Sequence, residues 1–333
     1  MKLRRVFGII TVLTLMVTIV QAEPEVKTVL DGLTNPAGIA VQPKTGHVFV
    51  SDSGAGRVIR VVDGKAQNVI TGFPLGSYGK GPKYGIGPLG LTFIDRDTLV
   101  VGGGGLPDGE EMLRVYKVPA AGASAIKAGE MAASFRLTGD ADTKGEGNFY
   151  GLANNGKAIF VSSNGDDTKG WIAKASLKGG KVTKFERSIA TKEAVEVDAP
   201  TGVAIAADGS LVVGQLGEIT VPQDSLVSFY DTRSGKLLDN FETGLFDITG
   251  LAYSPKGKLF ATDFAWMDTS QGGLFELKVA RGSQSGVEAK KVLSLDKPTA
   301  LTFSDWGELY VTVIGTSKEG SPAGKLLLVS GLK

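Results

Sequence analysis

The sequence predicts an all-β protein folded as a six-bladed β-propeller, and three observations carry this prediction. First, a short trio of residues recurs six times at spacings of 48 to 61 residues. Second, each trio opens an apolar β-rich run that is followed by a tight turn and a second such run. Third, the turns are rich in Gly, Asp, Asn and Pro, as in β-hairpins. Repeats of about 50 residues with four strands each are typical of propeller blades. The trios are Ala37-Gly38-Ile39, Leu89-Gly90-Leu91, Tyr150-Gly151-Leu152, Thr201-Gly202-Val203, Thr249-Gly250-Leu251 and Thr299-Ala300-Leu301.

The first repeat shows the full set of strands and the last repeat lacks one. In the first repeat we expect strands at residues 39–41, 47–51, 57–62 and 66–71. The last repeat supplies three, at residues 300–303, 308–313 and 325–329. Residues 26–33 parallel the outer strand of the first repeat, so we expect them to complete the sixth blade. This N-terminal strand would close the ring and cover an otherwise unpaired sheet edge.

Glycine stands in the middle of five of the six trios. The innermost strands of a propeller crowd around the axis, where a side chain would collide with the next blade. These glycines therefore predict close packing and not a functional site.

The N-terminus has the pattern of a secretory signal peptide at residues 1–22. Lys2, Arg4 and Arg5 precede an apolar run from Val6 to Val20, and the small residue Ala22 stands at the expected cleavage point before Glu23. This run is shorter than the roughly 20 residues that span a bilayer as a helix. We expect cleavage, export to the periplasm or the extracellular space, and a single propeller domain over residues 23–333.

Composition excludes several kinds of site. The chain has no cysteine, so disulfides, thiolate metal sites and a thiol nucleophile are ruled out. Loss of the three basic residues of the signal segment would turn the formal charge of +1 into −2. A chain with this balance is not expected to bind nucleic acid. We expect a monomer with no transmembrane segment after cleavage.

The first repeat also resembles a known repeat family. The segments Asn35-Pro36-Ala37-Gly38-Ile39-Ala40-Val41, Gly46-His47-Val48-Phe49-Val50-Ser51-Asp52-Ser53-Gly54 and Arg57-Val58-Ile59-Arg60-Val61 together resemble one NHL repeat. The later blades are weaker copies, and the resemblance covers residues 26–333. It implies a six-bladed propeller that binds a partner or ligand, without fixing an activity.

The blade pattern is also similar to the gluconolactonase and paraoxonase-like propellers, but their catalytic residues are not retained. A gluconolactonase-like site would place a Glu ligand where this chain has Pro36. It would also place an Asp ligand where this chain has Thr249. Paraoxonase-like catalysis would need histidines, and the single histidine, His47, lies in a turn predicted on the opposite face. The resemblance therefore implies the fold without the chemistry.

Loop lengths predict which face carries a site. Connections between second and third strands are mostly long, whereas those between first and second strands are short, and clustered long loops favour a working surface. We expect polar side chains to converge there, near the axis, and aromatic side chains to stack on a ligand. The polar candidates are Asp52, Tyr150, Asn164, Thr201, Gln215, Thr249 and Asp263, and the aromatic candidates are Tyr78, Tyr84 and Trp266.

Three functions remain open from the sequence. The leading hypothesis is an exported, non-catalytic module that binds a protein, a glycan or a small polar ligand through the long-loop face. The alternative is a divergent Ca²⁺-dependent lactonase- or esterase-like hydrolase, or a lyase, with Asp52, Asn164 and Asp263 as candidate metal ligands. Ca²⁺ is the only cofactor candidate. A purely structural protein of the cell envelope is the third hypothesis, with a water-filled channel mouth in place of a site.

Overall fold

Six sheets form the blades of a β-propeller, as predicted. The protein is described here by a computed structural model that covers residues 24–79, 81–137, 147–164, 170–282, 285–317 and 320–332. Blades are numbered by the chain order of their inner strands, and the strands of each blade are given from the inside outward. The predicted signal segment, residues 1–22, lies outside the described residues. No helix in the covered ranges is long and apolar enough to span a bilayer.

The first three blades occupy residues 36–190. Blade 1 contains Pro36–Val41, Val48–Asp52, Arg57–Val62 and Lys65–Thr71. Blade 2 contains Pro88–Asp95, Thr98–Gly103, Leu113–Lys117 and Ala133–Phe135. Blade 3 contains Phe149–Asn154, Ala158–Ser163, Trp171–Lys178 and Lys181–Ala190. A 3-10 turn, Ser53–Ala55, and a short helix, Thr191–Val195, connect strands at the long-loop face.

The last three blades complete the ring. Blade 4 contains Pro200–Ile205, Leu211–Gln215, Leu226–Tyr230 and Leu237–Glu242. Blade 5 contains Ile248–Tyr253, Leu259–Asp263, Gly273–Ala280 and Gly286–Ser294. Blade 6 contains Pro298–Phe303, Leu309–Val313, Gly324–Ser330 and the N-terminal strand Glu25–Leu33. The register of that last pair runs from Glu25 opposite Ser330 to Leu33 opposite Gly324, which confirms the predicted closure.

Two features of the link regions were not predicted. Blade 1 has a fifth strand, Ile126–Lys127, which comes from the outer connection of blade 2 and pairs in parallel with Lys65–Thr71. The outer strand of blade 2 is correspondingly short. The long link between blades 1 and 2 forms a small hairpin, Gly76–Tyr78 with Tyr84–Ile86, that lies over the ring.

Six clusters of the hydrophobic core each lie between two neighbouring blades, and a seventh, smaller cluster of Ala199, Leu216 and Ile219 packs against Trp266. Phe49 of blade 1 meets Phe93 of blade 2 edge to face at 5.0 Å between ring centroids. Between blades 6 and 1, Leu33 and Leu326 pack against Ile39 and Val50. Every blade thus buries both faces of its sheet against its neighbours, and this burial makes the ring rigid.

The glycines of the trios lie where the next blade comes closest, as predicted. A Cβ atom on Gly38 would stand 1.9 Å from the carbonyl oxygen of Leu89, and one on Gly151 would stand 2.2 Å from that of Thr201. No side chain can occupy such a space without moving the neighbouring backbone. Glycine here sets the spacing between blades.

Removal of the N-terminal strand is expected to destabilise the whole ring. Deleting residues 24–33 exposes the edge of Gly324–Ser330 and removes Leu33, which is 2% exposed, from the core. Burial of one such leucine contributes about 1.5–3 kcal/mol, so the deletion should lower the free energy of unfolding by at least that amount. Urea denaturation of the deletion variant, of Leu33→Ala and of a Lys27→Ala control measures the effect. Equal stability of the deletion variant and the intact chain would contradict the role of this strand.

Candidate functional site

A cavity of about 70 Å³ lies at the axis, on the face where the inner strands begin. Seven of the ten predicted site residues line it. They are Tyr78, Tyr84, Tyr150, Asn164, Thr201, Thr249 and Trp266. This cavity lies on the long-loop face, and we call it the mouth cavity.

Aromatic side chains cover the mouth cavity from outside. Trp266 stacks on Phe264 at 4.8 Å between centroids and meets Tyr84 edge to face at 5.4 Å. Its indole Nε1 donates a hydrogen bond to the carbonyl oxygen of Gly81, at 3.2 Å. Tyr78 also contacts Trp266 edge to face. We call these four rings the aromatic cover, which links blade 5 to the small hairpin.

The tight tip of the hairpin explains how it reaches Trp266. Gly79 and Gly81 both adopt positive φ, and the indole of Trp266 lies directly above Gly79. A Cβ atom at Gly79 would stand 2.7 Å from that indole. Two tyrosines flanking a Gly- and Pro-rich turn are the sequence signal that could have identified this hairpin.

Two buried carboxylates hold the turn that carries Trp266. Asp263 accepts hydrogen bonds from the backbone N–H groups of Asp247 and Ala265, at 2.7 and 3.2 Å, and from that of Phe246 at 3.1 Å. Asp247 in turn accepts a hydrogen bond from the backbone N–H of Trp266. Both carboxylates thus hold the backbone turn from which the indole of Trp266 projects.

Asp52 has a similar structural role in blade 1. Its carboxylate accepts the backbone N–H of Thr34 at 2.6 Å and pairs with Arg57 at 2.7 Å. Its side chain is 0% exposed, and neither Asp52 nor Asp263 lines the mouth cavity. Each acid therefore holds the segment that leads into the inner strand of its own blade, whereas the sequence predicted a ligand-binding role for both.

The predicted metal ligands are not assembled into a metal centre. No group of three or more His, Cys, Asp or Glu side chains suited to an ion occurs in the described ranges. Asn164 lines the mouth cavity and donates to the carbonyl oxygen of Pro200 at 3.4 Å, whereas Asp52 and Asp263 lie elsewhere. Gln215 is also outside the cavity, and its amide nitrogen donates to the carbonyl oxygen of Val197 at 2.8 Å.

The predicted site residues Thr201 and Thr249 form hydrogen bonds between neighbouring blades. At five of the six blade junctions a buried Ser or Thr hydroxyl donates to a backbone carbonyl of the next blade. The pairs are Ser51 to Leu89, Ser162 to Thr201, Thr201 to Ile248, Thr249 to Pro298 and Thr299 to Pro36. At the junction of blades 2 and 3, Gly102 lies against the carbonyl of Phe149 instead. Thr201 and Thr249 therefore line the cavity with hydroxyls that are already engaged.

Glu111 is a buried acid that the sequence did not single out. The second strand of blade 2 ends in Gly103, which has no side chain, and the carboxylate of Glu111 fills that space. It accepts the backbone N–H groups of Leu106 and Met112 and pairs with Arg114 at 3.4 Å. Burial raises the pKa of Glu111. Gly103 ends the second strand of blade 2, where blades 1 and 5 have Asp52 and Asp263. This missing carboxylate is the sequence signal that could have indicated a nearby acid such as Glu111.

The acidic groups behind Trp266 repel one another. Burial raises the pKa of Asp247 to about 7, and the negative charges of Asp263 and Asp224 add to this effect. Burial also raises the pKa of Asp263, although three backbone N–H groups and the charge of Lys291 oppose the change. A carboxyl group with a pKa near neutrality has the property required of a general acid or base.

Comparison with solved structures identifies the same fold in several sugar-acting and related enzymes. A soluble aldose sugar dehydrogenase from Escherichia coli is 15% identical, with a TM-score of 0.62 over 93% of this chain and 100% of the other. A gluconolactonase from Xanthomonas campestris is 15% identical, with a TM-score of 0.57 over 93% and 91%. A luciferin-regenerating enzyme is 14% identical, with a TM-score of 0.59 over 93% and 96%. These similarities establish the shared six-bladed fold.

Comparison of the sequence with family models and with curated proteins finds no match. Membership of the NHL family therefore stays a prediction. The structural neighbours include gluconolactonases, the propellers to which the sequence is similar in blade pattern.

Replacing Asp247 with asparagine is expected to stabilise the protein in a pH-dependent way. Between about pH 4 and pH 7 the folded state keeps the Asp247 proton while the unfolded state has lost it. Raising the pH therefore favours unfolding. Ionisation of Asp247 lowers the free energy of unfolding by at most about 4 kcal/mol, and this penalty is complete above about pH 7. Asp247→Asn lacks this penalty, so its gain in unfolding free energy should be near zero at pH 4 and largest at pH 8.

Urea denaturation at both pH values measures this gain. Asp305→Asn removes one carboxylate from an exposed position on the opposite face and serves as the matched control. A gain for Asp247→Asn that does not change with pH would show that this group does not titrate as inferred.

Proposed function

We propose that the protein acts on a small cyclic, sugar-derived ester, and that a sugar lactone is the class to test first. The observation that carries the proposal is the mouth cavity, which combines aromatic rings with the side-chain amides of Asn35, Asn148 and Asn164. Rings offer flat apolar surfaces to a sugar, and amide oxygens offer acceptors to its hydroxyls. The amide nitrogens of Asn35 and Asn164 already donate to the carbonyl oxygens of Gly85 and Pro200. The structural neighbours support this alternative over the non-catalytic binder that the sequence alone favoured.

A ligand can enter only if the aromatic cover moves. The mouth cavity, at about 70 Å³, is far smaller than the roughly 300–1,000 Å³ of typical small-molecule sites. Opening requires Trp266 to leave Tyr84 and to break its hydrogen bond with Gly81. Trp266 lies in a loop of blade 5 and Tyr84 lies in the small hairpin, so they can separate without breaking a hydrogen bond of the six blade sheets.

Asp247 is the group we assign to proton transfer. Its carboxylate is buried and does not line the closed cavity, but it accepts the backbone N–H of Trp266, so the mechanism requires that displacement of Trp266 also exposes Asp247. In lactone hydrolysis it would take a proton from water as the water oxygen adds to the carbonyl carbon. It would then return the proton to the ring oxygen as the ring C–O bond breaks, giving an open-chain hydroxy acid. With a pKa of about 7, Asp247 can perform both steps near neutral pH.

Binding without turnover is the second candidate, and one observation favours it. No Asp, Glu or His is among the described residues that line the closed cavity. In that case the protein would hold the same class of molecule under the aromatic cover and release it unchanged. The Ca²⁺-dependent form of the hydrolase hypothesis has its own test, because a metal bound by the folded state raises the melting temperature and EDTA reverses the rise.

We expect the purified protein to open a gluconolactone faster than the spontaneous reaction, as measured by acid release at constant pH. Trp266→Ala should lower kcat/KM by about tenfold or more, because the ligand loses its cover. Asp247→Asn should lower kcat by about 10²- to 10⁴-fold while leaving the fold intact. Asp305→Asn is the control.

Two outcomes decide between the candidates. Saturable quenching of tryptophan fluorescence by the lactone without acid release would support binding without turnover. Neither quenching nor turnover, with sugar lactones at millimolar concentration, would contradict both.

A further inference from the structure

Tyr150 is the one side chain of the inner ring long enough to cross the axis. At the first position of the trios the other blades carry Ala37, Leu89, Thr201, Thr249 and Thr299. The phenol of Tyr150, from blade 3, donates a hydrogen bond to the carbonyl oxygen of Thr299 in blade 6, at 2.8 Å. Blades 3 and 6 face each other across a six-membered ring. The tyrosine therefore forms a bar across the channel.

This bar separates two spaces. On one side is the mouth cavity of about 70 Å³, and on the other is a channel of about 560 Å³ that opens on the opposite face. Tyr150 lines both of them. The channel continues past Asn154 and Tyr253 to Pro43 and Asp305, in turns of the opposite face.

The hydrogen bond of Tyr150 is a stable one. Burial raises the pKa of its hydroxyl, so the group stays protonated and remains a donor at all physiological pH values. Its acceptor is a backbone carbonyl in a strand that is fixed on both sides, because Thr299 itself bonds to Pro36 of blade 1. The bar is thus anchored to the most rigid part of the ring.

We infer that Tyr150 is the specificity-determining residue of the mouth cavity, because it limits a bound molecule to a ring with short substituents. The channel behind it has the volume to hold a long substituent, but the phenol blocks the way. The identity of the bound class as a lactone rests on the proposed function. The barrier itself does not depend on it.

The barrier can be tested without any ligand, because the chain contains no cysteine. Leu216 lines the mouth cavity and is 4% exposed, so Leu216→Cys places a single thiol beneath Trp266. We expect this thiol to react slowly with a small charged disulfide reagent. Adding Tyr150→Ala should speed the reaction tenfold or more, since the reagent then enters through the channel. Tyr150→Phe keeps the ring and should leave the rate slow.

A matched control separates a local opening from general loosening. Val212 is 0% exposed in the core between blades 4 and 5, away from the mouth cavity, so Val212→Cys reports on the fold as a whole. Its reaction rate should not change with Tyr150→Ala. Equal rates for Leu216→Cys with and without Tyr150→Ala, or a parallel rise in both thiols, would overturn the barrier.

The specificity arm uses lactones with alkyl chains of increasing length. We expect the natural chain to prefer the short members, and Tyr150→Ala to shift the kcat/KM ratio of long to short members by tenfold or more. Tyr150→Phe should keep the original ratio. If the thiol rates show that Tyr150→Ala opens the channel but its kcat/KM ratio of long to short members is unchanged, the specificity role of Tyr150 is overturned. Absence of turnover in the natural chain would instead contradict the proposed function, and the thiol rates would still decide the barrier.

Discussion

The close approach of neighbouring inner strands is the constraint on which the rest of this structure depends. Glycine at Gly38 and Gly151 allows a carbonyl of the next blade to come into direct contact, and hydroxyl groups such as those of Thr249 and Thr299 tie the blades together at the same level. Because the ring is drawn in this tightly, its axis is narrow enough for one tyrosine to bridge. In a wider ring with the same loops, Tyr150 could not reach across the axis, and the channel would continue into the mouth cavity.

The main role of the buried acids in this protein is to accept hydrogen bonds from backbone N–H groups. The carboxylates of Asp52, Glu111 and Asp263 accept N–H groups from turns at the long-loop face, where loop backbone would otherwise be buried without partners. Asp247 is the exception in one respect. Burial raises its pKa to about 7, so the carboxylate that accepts the backbone N–H of Trp266 also titrates near neutrality.

Much of the fold could be predicted from the sequence, because the trios mark positions where only small residues fit beside the next blade. The closing strand could be predicted as well, since residues 26–33 repeat the pattern of an outer strand. The roles of Asp52 and Asp263 could not, because a carboxylate at a strand end looks the same whether a metal or a backbone N–H lies opposite. Partners of that kind come from distant segments, as do those of Tyr150 and Trp266. The strand Ile126–Lys127 was missed because a two-residue pairing leaves no periodicity to read.

The pairing of Glu25–Leu33 with Gly324–Ser330 also fixes how the molecule can be attached to other things. Leu33 leads directly to the inner strand at the mouth, so Glu25 and its partner Ser330 lie at the far end of that pair, on the order of 25 Å away. A fusion partner, affinity tag or solid support joined before Pro24 or after Leu332 would therefore project from the reverse side of the disc. The protein could be immobilised by either terminus with its opening turned toward solvent.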